Sequence, residues 1–421
     1  MNKPQTLKGF RDFLPQEARK REYVIDILKG VFQLYGFEPL ETPSLEYEKI
    51  LMGKYGEEGN KLMYRFEDNG GRHVALRYDQ TVPLARVVAQ YGQELPSPFR
   101  RYQIQPVWRA ENPQKGRYRE FLQCDIDITG VDSPLADAEI IACALTGVQK
   151  LGFKKLMMNI NDRTLFEGID PTYLIVIDKL PKIGEEAAKQ ELVERGMQKE
   201  KAGAFLEKFS QMNPSENLRK LFEYLEKMGF SKGKDFVFNP LVVRGLDYYT
   251  STIFELVDSE NPSLSLAGGG RYDNLIGIFA SQPIPATGLA FGFDRLLETM
   301  EERGLFPEEL AVATPKVLVT VFNQELAMES VKISSHLRKS GVNTELFPED
   351  SVKINRQLKY ADKRAIPYVV IVGPEEAANG TVVLKNMRDG SQQTLSIKDL
   401  TATLASPGHA LQSQLSRATI N

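Results

Sequence analysis

The chain has 421 residues, 42% of them hydrophobic and 26% charged, and carries a formal net charge of −3. That composition excludes a disordered or collagen-like chain, and the length allows two or three domains with cores that need no staples. Two cysteines, Cys124 and Cys143, exclude a disulfide framework and a four-thiolate zinc site, and a near-neutral charge argues at first against a nucleic-acid partner.

Residues 16–35 carry apolar side chains at three- and four-residue spacing, from Tyr23 and Val24 to Phe32 and Tyr35, which predicts an amphipathic helix stopped by Gly36. An extended piece follows from Phe37 to Leu45. Residues 60–130 read mainly as strands: Val74 to Arg77, Phe99 to Trp108, and Phe121 to Thr129, where Gln123, Asp125 and Asp127 alternate with Cys124, Ile126 and Ile128. A basic loop, residues 109–119, joins the last two. Residues 162–235 change texture to Glu, Lys, Leu and Phe at helical spacing and read as an inserted helical subdomain. Strand signals return from Pro240 to Leu256 and near Ala267, and residues 286–303 end as a helix. Beyond a linker around Gly304 to Pro315, strands and helices alternate up to Val372 and a hairpin follows, which predicts a small α/β domain with a partly parallel sheet. No aliphatic run is long enough to span a membrane. Met1 to Thr6 is polar and unlike a signal peptide, so a cytoplasmic, reducing location is expected.

Five segments could carry chemistry. Residues 100–119 hold Arg100, Arg101, Arg109, Lys115, Arg117 and Arg119 against Glu111 alone, a local charge of +5. Arginine forks suit phosphate oxygens, although a solvated loop is the bland alternative. The segment Arg77-Tyr78-Asp79-Gln80-Thr81 sets a carboxylate and a hydroxyl at a strand end, where, taken alone, an Asx turn or helix cap is the better explanation. In Arg244-Gly245-Leu246-Asp247-Tyr248-Tyr249, adjacent tyrosines of a strand would face opposite sides. Ala267 to Asp273 contains three glycines without a Walker or Gly-x-Gly-x-x-Gly spacing. Gly288 to Leu296 is a strand with glycine every fourth residue running into a helix that opens at Arg295; such glycines mark close approach by a ligand or by another backbone. His73, His336 and His409 have no metal-ligand spacing, and the Gly-x-Ser-x-Gly elbow is absent.

In their order along nearly the whole chain, these segments resemble the histidyl-tRNA synthetase family of class II aminoacyl-tRNA synthetases. Lys8 to Pro15 is similar to the family's opening signature. Gly36 to Pro43 resembles class II motif 1, the dimer-forming element. Trp108 to Glu111 through Arg119 to Phe121 resembles motif 2, and Gly288 to Leu297 motif 3. Arg244 to Glu255 and Ala267 to Ile276 resemble stretches particular to the histidine enzymes. The resemblance implies an α+β fold: an antiparallel six-stranded sheet with flanking helices, a helical insertion and a C-terminal α/β anticodon-binding domain. With the texture of the chain it divides the sequence into a catalytic core (1–161 and 237–305), the insertion (162–236), a linker (306–315), the anticodon-binding domain (316–405) and a tail (406–421).

It also implies the chemistry. L-Histidine is activated with ATP to histidyl-adenylate and transferred to the 3′ end of tRNA(His), by a homodimer, with Mg2+ accompanying ATP. Arg109 would hold the α-phosphate and Arg244 the opposite side of the reacting carboxylate; these are the two catalytic residues expected. Phe121 and Arg295 would sandwich adenine, Glu111 would read its amino group, and Arg117 with Arg295 would meet the γ-phosphate. Asp79, Thr81 and Gln123 would gather around the α-amino group of histidine, and Gln80 would belong to the same histidine site. Asp127 and Tyr249 would pair with the ring nitrogens, with Tyr248 close by. Asp125 is expected to face solvent or a structural hydrogen bond. Asp127 stands where many bacterial members have Glu. A 5′ guanylate of the tRNA would lie near Gln114 to Arg117.

Two other readings compete. A catalytically inactive synthetase-like regulatory subunit of histidine biosynthesis would lack the anticodon domain and the arginine and tyrosines of 244–249. A synthetase for glycine, proline or threonine would lack the Arg-Gly-Leu-Asp-Tyr-Tyr segment. The net charge is no obstacle to tRNA, because residues 353–364 add a second local excess, Lys353, Arg356, Lys359, Lys363 and Arg364 against Asp362.

Overall fold

The structure, a computed structural model, describes residues 3–54, 56–113, 116–243, 248–311 and 315–405. They form two compact units, one up to Leu305 and one from Phe306. In chain order the strands of the first unit are β1 (Glu38–Pro39), β2 (Leu45–Tyr47), β3 (Arg65–Glu67), β4 (His73–Leu76), β5 (Phe99–Trp108), β6 (Glu120–Thr129), β7 (Leu156–Asp162), β8 (Phe236–Phe238), β9 (Thr252–Asp258), β10 (Asn261–Arg271) and β11 (Ala286–Phe291). The main sheet runs β1-β5-β6-β11-β10-β9-β7-β8. Its six central strands are antiparallel throughout, and the short edge strands β1 and β8 add parallel pairs. The six-stranded expectation therefore describes the body of the sheet, which two short pieces extend to eight.

Alternation along the strands makes the sheet two-sided. Tyr102 on β5 and Phe291 on β11 both meet Phe32 of helix Pro15–Leu34, at 5.6 and 5.7 Å between ring centroids. Cys124, Ile126 and Ile128 alternate with the polar residues of β6 and are buried. Helix Pro134–Lys150 also lies against this sheet and against helix Pro15–Leu34, where Gly147 leaves room for Leu28. The opposite, polar face of β5, β6 and β11 is the floor of the site below.

Residues 81–91 form a helix, not a strand, within the segment read as mainly extended. Its run of Val82, Leu84, Ala85, Val87 and Val88 is buried, so tertiary packing overrides local β-propensity there. Asp79 accepts from the Val82 amide at 3.1 Å and satisfies a donor of its first turn. In the helical region, Pro171–Ile183, Glu185–Glu194 and Lys199–Ser210 share a core of Val176, Ile177, Leu192, Leu206 and Phe209. Glu216–Lys227 packs instead on helix Pro134–Lys150.

The second unit has a five-stranded sheet. Thr344–Leu346, Val317–Val319 and Tyr368–Ile371 are parallel; Thr381–Asn386 and Gln392–Ser396 close it antiparallel. Val317, Val319 and Val370 feed one core while Leu318 and Val369 feed the other, which is the pattern of a sheet covered on both faces.

Candidate active site

The floor is set by register. Gln123, Asp125 and Asp127 of β6 lie opposite Gln105, Gln103 and Arg101 of β5, while Asp127 and Asp125 lie opposite Gly288 and Ala290 of β11. A cavity of about 340 Å3 opens above them. Asp79 and Thr81 enter its wall from the start of the helix, Arg109 and Phe121 from the chain after β5 and from β6, Tyr248 and Tyr249 from the approach to β9, and Arg295 from helix Phe293–Glu302. The glycines explain themselves at two positions. A Cβ on Gly288 would lie 1.9 Å from Asp127 Oδ1, and one on Gly269 would lie 2.0 Å from the Gly288 carbonyl oxygen. The absent side chains make room for the Asp127 carboxylate and for close strand pairing.

One end of the cavity is acidic. Asp127 accepts a short hydrogen bond from the Tyr272 hydroxyl at Oδ1, and its Oδ2 lies 2.8 Å from Nη2 of Arg101. Arg101 is wholly buried and also donates to Gln103 at 3.2 Å. Asp125 accepts from the Gln123 amide at 3.0 Å and stands 4.0 Å from Arg101. Burial raises the pKa of Asp127 and raises that of Asp125 well above the usual carboxylate range, with Arg101 opposing both shifts. Burial likewise pushes the Tyr248 and Tyr272 hydroxyls well up. The Tyr248 and Tyr249 rings meet edge to face at 5.1 Å, and Tyr248 is hydrogen-bonded with Thr81.

The other end is cationic and aromatic. Arg109 donates from Nε to the Tyr78 carbonyl at 3.1 Å, and its guanidinium lies 4.4 Å from the Tyr78 ring centroid and 5.1 Å from that of Phe121. Arg295 donates to the Ser265 carbonyl at 3.2 Å. The N-terminal signature ties these parts together. Arg11 pairs with Asp294 at 2.9 Å and stacks on Tyr118 at 3.2 Å, while the Tyr118 hydroxyl donates to Glu298 at 3.1 Å.

Asp79, Thr81, Arg109, Phe121, Gln123, Asp127, Tyr248, Tyr249 and Arg295 thus share one cavity. Gln80, Glu111 and Arg117 do not line it. Gln80 is buried and donates to the carbonyls of Gln105 and Gln123, holding β5 and β6. Glu111 and Arg117 pair with each other at 3.6 Å. Arg244, Gln114, Lys115, residues 312–314 of the linker and the tail 406–421 lie outside the described residues.

Three readings change. Tyr248 and Tyr249 precede β9, which starts at Thr252, so strand alternation does not apply to them and both face the cavity. The basic stretch is no open patch: Arg100 pairs with Glu139 at 2.8 Å, Arg101 is buried against Asp127, and Arg119 donates to the Glu111 carbonyl. Asp125 makes the expected structural hydrogen bond, with Gln123, but at 2% exposure it is part of the cavity wall and not of the solvent-facing surface. Sequence reasoning also missed Tyr272 and the role of Arg101. The phase of β6 placed Asp125 beside Gln123 and Asp127 and was the available signal; nothing local in the sequence pairs Arg101 with Asp127.

A six-stranded antiparallel sheet with its pocket on one face, joined to a separate α/β unit, is the arrangement of a class II aminoacyl-tRNA synthetase. The sequence model described as "Histidyl-tRNA synthetase" matches residues 9–175 and 182–296, and that described as "Anticodon binding domain" matches residues 316–406. The histidine–tRNA ligase of Christiangramia forsetii is 38% identical over 96% of this chain and 99% of its own length; that of Gloeobacter violaceus is 38% identical over 93% and 96%. The crystal structure of histidyl-tRNA synthetase from Nostoc sp. PCC 7120 superposes with a TM-score of 0.82 at 29% identity, covering 96% of this chain and 99% of that one. The chain belongs to the histidyl-tRNA synthetase family.

Proposed function

We propose that the chain activates L-histidine with ATP and transfers it to the 3′ end of tRNA(His). The observation that carries this reading is the polarity of one cavity: acceptors at one end, arginines and an aromatic ring at the other. In the first step the carboxylate oxygen of histidine attacks the α-phosphorus and pyrophosphate leaves. Two anions approach, so fixed cations must offset the charge that builds up. Arg109 is held for that task by its bond to the Tyr78 carbonyl and its two aromatic neighbours. Arg244 would approach the carboxylate from the other side. Phe121 and Arg295 would stack adenine, and Glu111 and Arg117 would part from each other to meet its amino group and the γ-phosphate. In the second step the terminal ribose hydroxyl of the tRNA attacks the adenylate carbonyl, the acyl–phosphate bond breaks, and AMP leaves as the hydroxyl gives up its proton. Holding the reactants in line supplies most of the acceleration.

Histidine would be read by Asp79, Thr81 and Gln123 at its amino group and by Asp127, Tyr248 and Tyr249 at its ring. A site that hydrogen-bonds a ring nitrogen rejects analogues lacking it, because buried polar groups are then left unpaired. Gln80 would act behind the wall, by fixing β5 against β6. Among the described residues no group of three or more His, Cys, Asp and Glu side chains is gathered for a metal. Mg2+ would accompany ATP on its phosphates, and no step here passes through it.

A homodimer fits the small sheet β2-β4-β3, where register puts Leu45, Tyr47 and Phe66 on one face, each more than 40% exposed. A cytoplasmic location agrees with the absence, among the described residues, of any helix long and apolar enough to cross a membrane. The test of the function is ATP–pyrophosphate exchange by the purified protein with each of the twenty amino acids in turn. Exchange with histidine alone is expected; none with histidine would sink the reading and favour an inactive regulatory protein. Arg244→Ala should abolish exchange in a folded protein, and a near-normal rate would remove Arg244 from its role.

A further inference from the structure

The acidic end of the cavity holds two acceptors that the ring-reading residues do not use. Asp125 Oδ1 and Gln123 Oε1 are buried, and among the described residues neither meets a hydrogen-bond donor. Both residues line the cavity, 2% and 6% exposed. Their mutual bond fixes which way each points. In its ionised form, the form an ammonium selects, Asp125 accepts only, so the Gln123 Nε2–H at 3.0 Å faces Asp125 Oδ2 and the amide oxygen is turned the other way. The flipped amide would set two acceptors against each other.

We propose that Asp125 is a specificity-determining residue for the ammonium group of the amino-acid substrate, acting with Gln123 and Asp79 as a wall of acceptors. This role rests on the histidine-activating function above and belongs to a residue that function left structural. Stoichiometry singles Asp125 out. Three carboxylates, Asp79, Asp125 and Asp127, face one cavity. Arg101 lies against Asp127 at 2.8 Å but only within 4.0 Å of Asp125. Tyr272 is given to Asp127 as well. Among the described residues, Asp125 is therefore the carboxylate least matched by a donor of the protein. A buried anion needs a cation with N–H groups to spare, and an ammonium brings three. Asp125 acts twice: its Oδ2 orients Gln123 as an acceptor, and its Oδ1 takes an N–H itself. Asp127, one pleat further along β6, stays with the ring.

The test compares wild type with Asp125→Asn, which keeps the shape, and with Asp125→Ala. Two ligands are used: L-histidine, and imidazolepropionate, which is histidine without its amino group. Histidine-dependent exchange gives KM for histidine and for ATP, and inhibition of exchange gives Ki for imidazolepropionate. Expected for Asp125→Asn is a rise of about tenfold in histidine KM, with ATP KM and the imidazolepropionate Ki within about twofold of wild type. The preference of the enzyme for the aminated ligand narrows by that factor. Asp125→Ala should narrow it at least as far. Equal losses for both ligands would overturn the proposal, because they would place Asp125 at the ring or in the scaffold. Unchanged constants for both would overturn it too. Absence of histidine-dependent exchange in wild type would be a different failure, that of the underlying reading.

Discussion

Gly288→Ala tests the acidic end of the cavity with a single carbon. The new Cβ would lie 1.9 Å from Asp127 Oδ1, 2.6 Å from its Cγ and 3.0 Å from the Ile126 carbonyl oxygen. Non-bonded carbon and oxygen need about 3.3 Å or more, so the carboxylate must withdraw by about 1.4 Å. The backbone of β6 is held by β5 on its other side and cannot follow. Withdrawal breaks the bond from Tyr272 or the pair with Arg101. A hydrogen bond to a charged group is worth about 1.5–3 kcal/mol. At about 1.4 kcal/mol per tenfold, removal of such a bond to histidine raises its KM by roughly 10- to 100-fold. Overpacking lowers stability by a further 1–3 kcal/mol or about that, read by urea unfolding. The assay is histidine-dependent pyrophosphate exchange at saturating ATP, with the ATP KM, expected within about twofold of wild type, as the internal control. A folded Gly288→Ala protein with an unchanged histidine KM would refute the placement of Asp127 at the substrate ring.

Three further outcomes follow from the same geometry. Arg101→Met leaves Asp127 and Asp125 without their buried cation, and urea unfolding should show stability reduced by about 3–5 kcal/mol; a reduction under about 1 kcal/mol would mean that the arginine does not balance them. Histidine affinity should rise with pH. Burial raises the Asp125 pKa and Asp127 and Asp79 add to the shift, while Arg101 and the Gln123 bond oppose it, so the empty pocket holds a proton to higher pH than a free carboxyl would. An ammonium favours the ionised form and expels that proton, so the histidine Kd measured between about pH 5 and 8 should fall as pH rises, and Asp125→Asn should remove that part of the slope; an identical profile in the two proteins would contradict it. In the second unit, Arg356→Glu with Lys359→Glu should weaken tRNA binding and reduce the slope of log affinity against log salt by about 0.7–0.9 for each phosphate no longer neutralised, with pyrophosphate exchange unchanged; an unaltered slope would place the tRNA elsewhere.

The elements legible in the sequence are those that follow local periodicity. The alternation Gln123, Cys124, Asp125, Ile126, Asp127 already contains both faces of β6, and the strand–helix alternation of the second unit already implies an α/β domain with a partly parallel sheet. Three things escape that logic. Helix Thr81–Tyr91 has two short apolar runs, Val82 to Ala85 and Val87 to Ala89, separated by Arg86; either run suits a short buried strand, and only packing decides. The tyrosine pair lies before β9, where no period holds, so its faces follow from tertiary position. Charge pairing is the largest gap. Arg101 meets Asp127 across an antiparallel pair, 26 positions along the chain, and a count of +5 over neighbouring residues cannot register a neutraliser that distant in sequence.

The same correction relocates the surface that could meet a polyanion. In the first unit Arg100, Arg101 and Arg117 are engaged with Glu139, Asp127 and Glu111. In the second, helix Ile354–Lys363 buries Gln357 and Ala361 and leaves Arg356, Lys359 and Lys363 exposed at three- and four-residue spacing, with Lys353 at its cap. That spacing sets the cations on one helical face, where a phosphate backbone can meet them together. Within the cavity the logic is complementary. On the proposed roles, acceptors at the Asp125 end would draw an ammonium and arginines at the Arg109 end a carboxylate, so a zwitterion would enter in one orientation. That orientation points its carboxylate at the place where the α-phosphate would lie. A protein with a net charge of −3 can thus serve both a polyanion and a zwitterion, because each answers to the charge within a Debye length and not to the sum over the chain.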